Sequence, residues 1–211
     1  MIVTGILFVF ACGDSGATKE SGSSESSNKS SSVNGNKGNL LTSMIEKRQD
    51  FELVALSDGR LLSIGGRGVG ERSGVSATDT TEVYDPAADK WTLSGRMSDI
   101  RSVTSAVELD DGTVLLAGGA ASQRTSTYLT EIWDPSTGEW TIVADMNQAR
   151  EKFGLIKLAN GKVIAIGGSD SEGQHSATAE IYDPATDSWT LIDSMGEPRI
   201  WHTTTVLNDG R

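Results

Sequence analysis

The amino-acid sequence predicts an all-β protein built from repeated four-stranded sheets. One observation is a signature of Glu, an aromatic residue, Asp-Pro, Trp-Thr and Met that occurs three times with a period of 49 residues. The other is that short apolar runs within each copy alternate with tight-turn signals. Because one such unit cannot bury its apolar face alone, neighbouring copies must stack, as propeller blades do. We therefore expect an incomplete β-propeller of about three four-stranded blades and part of a fourth.

The first element is an apolar segment, residues 1–11, and the composition changes abruptly at Cys12. As a helix this segment would span only about half of a bilayer's hydrocarbon core, so it is too short for a transmembrane helix. Its length suits a secretory signal peptide. Val9-Phe10-Ala11-Cys12 resembles the bacterial lipobox, in which cleavage before the cysteine exposes it for lipidation. The alternative, an ordinary buried cysteine, is disfavoured by the polar run that follows.

The second element, residues 12–39, is rich in Ser, Gly, Asn and Lys and almost free of apolar residues. Such a segment cannot repay its ordering entropy, so we expect a disordered tether that spans about 30 Å. Cys12 is the single cysteine of the chain, which excludes a disulfide framework. Together these features predict an extracytoplasmic bacterial lipoprotein, anchored to the cell envelope, at the outer membrane or cell surface, through the lipid alone.

The remaining residues, 40–211, contain the copies, at about 45–97, 98–146 and 147–195 with a partial copy at 196–211. In the third copy, Asn160-Gly161 is a hairpin signal because the glycine supplies a positive φ. Asp183-Pro184 opens a second turn, since Pro presets φ at its second position. The apolar and alternating runs around these turns predict four strands, namely Phe153–Leu158, Val163–Ile166, Ala179–Tyr182 and Trp189–Ile192.

Glycine pairs and arginines recur in phase with the signature, with four extra residues before Glu82 in the first copy. The signature residues are Glu82, Tyr84, Asp85, Pro86, Trp91, Thr92 and Met97; Glu131, Trp133, Asp134, Pro135, Trp140, Thr141 and Met146; and Glu180, Tyr182, Asp183, Pro184, Trp189, Thr190 and Met195. The glycine pairs are Gly65-Gly66, Gly118-Gly119 and Gly167-Gly168, and the arginines are Arg48, Arg101, Arg150 and Arg199.

This pattern resembles the kelch family over residues 40–211, and most of all the bacterial kelch-repeat lipoproteins related to the propeller of galactose oxidase. The resemblance implies a kelch β-propeller in which the aromatic residues pack between neighbouring sheets. The in-phase Glu and Arg allow an acid–base interpretation. We favour a structural one, because equivalents in every blade are expected to hold the frame together by buried charge-assisted bonds.

Both limits of the repeat region suggest a fragment of a longer propeller. Residues 208–211 align with Ser57–Arg60 in the middle of a hairpin, so the fourth copy is expected to contribute a first strand. Leu40–Met44 resembles Leu191–Met195 and is expected to be the outer strand of a last blade. A first and a fourth strand without partners would leave backbone groups unpaired.

Variable residues lie at one end of the predicted blades, where the loops after the glycine pairs also differ most. Two residues after each in-phase arginine the copies hold Asp50, Val103, Lys152 and Trp201. In kelch propellers the corresponding region lines the mouth of the central channel, so these positions are candidate contacts by resemblance. Loops on a rigid scaffold commonly carry function, although single loop residues are usually only solvated. The candidate ligand-binding residues are Asp50, Arg67, Arg72, Lys152 and Trp201.

The net charge and the motifs argue against several classes of function. A net charge of −11 argues against nucleic acid as a partner. No spacing of His, Cys or carboxylates indicates a metal site, and no cofactor motif is present. His202 occupies a slot that holds Phe51, Thr104 and Phe153 in the other copies, so we expect it to pack rather than to act as a ligand. We expect a non-catalytic, surface-anchored domain that binds protein or carbohydrate through its loop face. The alternative is an extracytoplasmic carbohydrate-modifying enzyme, a sugar oxidase or mutarotase, completed by further blades.

Overall fold

The chain divides into two units, Met1–Asn39 and Leu40–Arg211. A computed structural model describes residues 41–68, 77–121 and 125–207, all within the second unit. The predicted signal peptide, Cys12 and the tether lie outside the described residues. Every regular element in the described ranges is a β-strand: β1 (Arg48–Gln49), β2 (Glu52–Ala55), β3 (Leu61–Ile64), β4 (Arg67–Gly68), β5 (Thr78–Asp85), β6 (Lys90–Arg101), β7 (Ser105–Glu108), β8 (Val114–Ala117), β9 (Thr130–Trp133), β10 (Trp140–Ile142), β11 (Gly154–Lys157), β12 (Val163–Ile166), β13 (Ala179–Asp183) and β14 (Ser188–Ile192).

The strands form three four-stranded antiparallel sheets, one for each full copy, which confirms the predicted all-β blades. Their orders are β2-β3-β5-β6, β7-β8-β9-β10 and β11-β12-β13-β14, and β1 pairs with β4 in a small separate ribbon. In the third blade the register follows the predicted turns, with Val163 opposite Tyr182 and Tyr182 opposite Trp189. Each sheet is therefore a simple meander whose tight turns lie at one end.

Residues 41–44 are not a strand, contrary to the prediction of an orphan outer strand. They nevertheless contact the first blade as an outer strand would. The backbone N–H of Thr42 donates to Asp89 Oδ1 at 3.0 Å. At the two equivalent positions, Gly95 N–H donates to Gly138 O at 2.8 Å and Ala144 N–H donates to Asp187 Oδ1 at 2.9 Å. The segment therefore lies where a preceding blade would end, but without sheet partners among the described residues it forms no ladder.

The described part of the fourth copy, residues 196–207, also lacks strand structure, whereas a first strand was predicted. The segment still packs on the third blade. A Cβ built on Gly154 would lie 2.4 Å from Thr204 Cγ2, so glycine permits this close approach. Side-chain packing alone does not make a strand, because strands need a neighbour to accept and donate the backbone hydrogen bonds.

The apolar core lies between neighbouring sheets. One cluster joins the first and second blades around Trp133, and a second joins the second and third blades around Tyr182 and Trp189. Trp133 is 1% exposed, and its indole N–H donates to Ser94 Oγ of the first blade at 3.1 Å. Tyr182 stacks at 5.2 Å between ring centroids on Trp189, which lies on the neighbouring strand. The in-phase aromatic residues thus fill the layers between blades, as the sequence predicts.

The glycine pairs let each copy approach the next. A Cβ on Gly118 would lie 2.4 Å from the carbonyl oxygen of Arg150, and Gly119 N–H donates to that same oxygen at 2.8 Å. Both glycines have positive φ, 57° and 98°. Any other residue at Gly118 would meet backbone, so the pair is required by the contact between blades.

Trp133→Ala should destabilise the protein far more than Trp201→Ala. The first change empties a buried inter-blade site, where loss of a tryptophan costs about 3–5 kcal/mol. The second removes a side chain that is 66% exposed, where changes usually stay within about 0.5 kcal/mol. Denaturant midpoints of both variants measure the difference, and equal midpoints would contradict the inter-blade assignment.

Candidate ligand site at the central cavity

A buried ion pair holds the chain where it enters each blade. In the third blade, Arg150 Nη2 donates to Glu180 Oε1 at 2.9 Å, and both side chains are essentially fully buried. The other carboxylate oxygen of Glu180 accepts the backbone N–H of Asn147 at 2.7 Å. The same pairing joins Arg48 to Glu82 and Arg101 to Glu131. These glutamates and arginines pair with each other and bond to the backbone, which agrees with a structural role for the in-phase charges.

Two residues beyond each arginine, the backbone adopts the left-handed conformation. Asp50, Val103, Lys152 and Trp201 have φ of 53°, 55°, 57° and 53°. This conformation is unfavourable for non-glycine residues, most of all for a β-branched one such as Val103, at about 1–3 kcal/mol each. Neighbouring copies are also joined here, because Val103 N–H donates to the carbonyl of Asp50 at 2.9 Å and Trp201 N–H to that of Lys152 at 3.0 Å.

These four residues line a cavity of about 250 Å³, which we call the central cavity. Each copy supplies its lining from equivalent positions at the start of its first strand. The cavity therefore lies where the equivalent segments of the four copies meet. Its lining residues are Asp50, Phe51, Glu52, Val103, Thr104, Ser105, Lys152, Phe153, Trp201 and His202.

Four of the five predicted ligand-binding residues come together here. Arg67, on β4, forms an ion pair with Asp50. Lys152 Nζ lies 2.6 Å from Glu151 Oε1 and 5.8 Å from the ring centroid of Trp201, a cation–π distance. The remaining candidate, Arg72, lies outside the described residues. The charged groups of the cavity thus already have partners of opposite sign.

Three further residues of the cavity were not identified as candidates from the sequence. Glu52 begins the innermost strand of the first blade, and burial raises the pKa of its carboxyl to about 8, opposed in part by the N–H of Ala106. The sequence did contain a signal for Glu52. The equivalent positions hold Ser105, Gly154 and Thr203, so Glu52 is the one ionisable residue among the four. The carboxyl is therefore largely protonated, and uncharged, at neutral pH.

Thr104 and His202 are the other two, and both occupy the slot that holds Phe51 and Phe153. Thr104 is 6% exposed, and its Oγ1 has no hydrogen-bond partner among the described residues. Both ring nitrogens of His202 are likewise buried without a partner in the described ranges. Burial lowers the pKa of His202, with Arg199 contributing, so the ring is neutral. His202 packs against the third blade, as predicted: Cβ atoms built on Gly154 and Gly167 would lie 3.1 Å from its Nε2 and 3.0 Å from its Cε1.

The opposite end of the blades differs in character. A cavity of about 250 Å³ lies among the first hairpin turn of the second copy, at Asp111, and the Asn160-Gly161 and Asp183-Pro184 turns of the third. It is bordered by Lys162, which pairs with Asp183 at 2.8 Å. Within the described residues, no group of three or more His, Cys, Asp or Glu side chains is placed to hold a metal ion. The same ranges contain no helix of the length and hydropathy needed to cross a membrane.

Comparisons with known proteins agree with this geometry. The family profile for the Kelch motif matches residues 102–147 and 159–196, in the second and third copies. The chain is 40% identical over 70 residues to the "Kelch-like protein terF" of Aspergillus terreus (strain NIH 2624 / FGSC A1156), covering 32% of this chain and 15% of the fungal protein. It matches the solved "Structure of YjhT" with a TM-score of 0.62 and 14% identity, over 72% of this chain and 53% of that one.

These matches agree with the repeats and with the fold. The chain contains kelch repeats, and its three blades form an incomplete kelch β-propeller. The likeness to YjhT concerns the fold alone. The chain spans about a seventh of the fungal relative's length and about half of the solved structure's.

Glu52→Gln should flatten the pH dependence of stability. The carboxyl titrates near its ordinary value of 4.5 when unfolded and near 8 when folded, so between these values the folded chain retains a proton that the unfolded chain has lost. This contribution to the free energy of unfolding is complete below about pH 4.5, falls as the pH rises to about 8, and stays low above it.

Urea unfolding of the wild type and of Glu52→Gln at pH 5, 7 and 9 measures this effect. The variant should gain stability over the wild type as the pH rises. Glu139→Gln, which removes an exposed carboxylate, serves as the control for the lost charge. Parallel pH profiles for the wild type and Glu52→Gln would contradict the buried, protonated state of Glu52.

Proposed function

We propose that this kelch propeller is a non-catalytic interaction domain that recognises a protein or a glycan at the mouth of the central cavity. One observation carries the proposal. The frame repeats from copy to copy, yet the residue that each copy presents to the cavity differs: an acid, an aliphatic residue, a lysine and a tryptophan. A repeated scaffold with a variable, strained and concave centre is the arrangement expected of a recognition site.

The chemistry of the mouth supports recognition. Trp201 presents a largely exposed indole beside Lys152, and tryptophan is enriched at the residues that dominate binding energy. The ionic groups of Asp50 and Lys152 are paired with Arg67 and Glu151 rather than arranged around a reactive side chain. The alternative, a carbohydrate-modifying enzyme, gains no specific observation from the described residues.

Trp201→Ala and Lys152→Ala should each weaken partner binding, by about 30-fold for Trp201 if it acts as a hot spot worth about 2 kcal/mol. Lys162→Ala is the matched control, because it removes a lysine from the opposite end of the blades. The purified chain would be applied to a glycan array and to a bacterial envelope-protein fraction, with each captured partner titrated by surface plasmon resonance. Equal binding by the wild type and Trp201→Ala would place the interaction elsewhere.

We further propose that the chain is presented outside the cytoplasm on a lipid attached to Cys12. The apolar segment 1–11, the lipobox-like Val9-Phe10-Ala11-Cys12 and the polar residues up to Asn39 support this anchor. The loop face would then be free to meet a partner.

Cys12→Ser should abolish incorporation of a labelled fatty acid and release the protein from the membrane fraction of expressing bacteria. Lipidation needs the cysteine sulfur, which the serine variant lacks. Ser15→Ala, three residues later, controls for a change of sequence near the cleavage point. Equal labelling of the wild type and Cys12→Ser would show that the lipoprotein assignment is wrong.

A further inference from the structure

The first hairpin turn of the third blade differs from its equivalents in one residue. Before the turn glycine, the first and second copies hold Asp58 and Asp111, whereas the third holds Asn160. Asn160 is exposed and lines the cavity at the turn end of the blades, which we call the turn-end cavity. Because Gly161 follows, the third turn is an exposed Asn-Gly pair on a frame that carries Asp-Gly in the other two blades.

The first copy shows how a carboxylate fits in this turn. Asp58 Oδ1 accepts the backbone N–H of Arg60 at 3.0 Å, and Asn160 Oδ1 accepts that of Lys162 at 3.2 Å. The Arg60 side chain also donates to Asp58 Oδ2 at 2.7 Å, and this bond lowers the pKa of the carboxyl. Lys162 takes the place of Arg60, but its Nζ lies 2.8 Å from Asp183 instead. A carboxylate in place of the Asn160 amide would therefore meet a cation that is already present.

The hydrogen bond of Asn160 brings its side chain over the next peptide. Because Oδ1 bonds to the N–H two residues further on, the carboxamide bridges the backbone nitrogen of Gly161. A carbonyl carbon held beside a nucleophile reacts faster than one that is free to turn away. Gly161 has no Cβ to shield that nitrogen, and glycine adopts its φ of 80° without strain. The turn thus favours attack of the Gly161 nitrogen on Cγ of Asn160.

One backbone hydrogen bond opposes this attack. Gly161 N–H donates to the carbonyl of Leu158 at 3.0 Å, so the turn has to open there before the nitrogen can lose its proton. The bond lies at the tip of an exposed hairpin, where local opening costs far less free energy than global unfolding. We therefore expect the reaction in the folded chain.

Asn147 offers an internal comparison. Its Nδ2 donates to Glu180 Oε2 at 2.8 Å and to the carbonyl of Trp189 at 3.3 Å, and the next residue is Gln148. The side chain of Asn147 is held by two bonds, and a Cβ on the next residue shields the backbone nitrogen. Asn147 should therefore keep its amide under conditions in which Asn160 loses it.

We propose that Asn160 is a site of spontaneous deamidation, which converts the third turn to the Asp-Gly form of the first two blades. The backbone nitrogen of Gly161 loses its proton and bonds to Cγ of Asn160, the Cγ–Nδ2 bond breaks, and ammonia leaves with a proton. Water then opens the cyclic imide. Cleavage of the new Cγ–N bond gives aspartate, and cleavage of the original peptide C–N bond gives isoaspartate. The net reaction consumes one water and replaces the amide by a carboxylate.

The two products affect the blade differently. Aspartate places a negative charge at the turn-end cavity, so Lys162 gains a second carboxylate partner besides Asp183, as Arg60 has in Asp58. Isoaspartate adds a carbon to the backbone of a turn that is closed by the bond from Leu158 N–H to the carbonyl of Lys162, at 2.8 Å. The aspartyl form should keep the hairpin, whereas the isoaspartyl form should open it.

Incubation of the purified full chain in isotopically labelled water at mildly alkaline pH tests the site. Peptide mapping by mass spectrometry should show loss of the amide and gain of one labelled oxygen at Asn160 in most molecules, but not at Asn147. Near-ultraviolet circular dichroism follows the fold during the incubation. Asn160→Gln is the matched control, because it keeps an exposed amide but needs a less favourable six-membered ring. This variant should gain no label.

Asp58→Asn provides a second test, because it places the same Asn-Gly pair in the first turn, beside Arg60. This variant should also deamidate, and so return to the wild-type sequence at that turn. Retention of the Asn160 amide in the folded chain to the same extent as that of Asn147 would overturn the proposal. Labelling of Asn160 only after urea has unfolded the chain would also overturn it, since the turn would then protect the residue. Equal labelling of the wild type and Asn160→Gln would exclude the cyclic route.

Discussion

The buried arginine–glutamate pair is the interaction on which the rest of this propeller depends. In each blade the glutamate of the third strand accepts a hydrogen bond from a backbone N–H of the segment that precedes the blade. The arginine also donates to backbone carbonyls. In the third blade Arg150 Nη1 donates to Gly167 O at 2.8 Å. One pair thus joins the linker, the glycine pair and the sheet. Such a pair is tolerable because its hydrogen bonds are satisfied, and removing one partner typically costs about 3–5 kcal/mol.

This frame explains how the centre can vary while the blades repeat. The direction of the chain is set by the arginine and by the glycine pair, which the backbone of the next copy approaches closely. The second residue after the arginine therefore adopts a left-handed conformation whatever its identity, as Val103 shows with φ of 55°. Strain at these positions is carried by contacts elsewhere. The side chains at the centre are consequently free of any structural requirement for one chemistry.

The side chains that line the central cavity vary in this way from copy to copy. The slot that holds Phe51 and Phe153 in two of the copies is not apolar in the other two. Thr104 and His202 instead bring polar atoms that lack partners within the described residues, and Glu52 adds a carboxyl whose pKa burial raises to about 8.

The sequence by itself determined the blades, the turns, the glycine pairs and the arginine–glutamate phase, because these depend on local preference repeated at a fixed interval. It also located the four positions at the mouth, which share one offset from the arginine. The tertiary structure decided the rest. Residues 41–44 and 196–207 are not strands, since strand formation depends on a hydrogen-bonding neighbour rather than on local pattern. The raised pKa of Glu52 and the partnerless polar atoms of Thr104 and His202 within the described residues emerged only from the structure, because burial and hydrogen bonding are decided where separate copies meet in space.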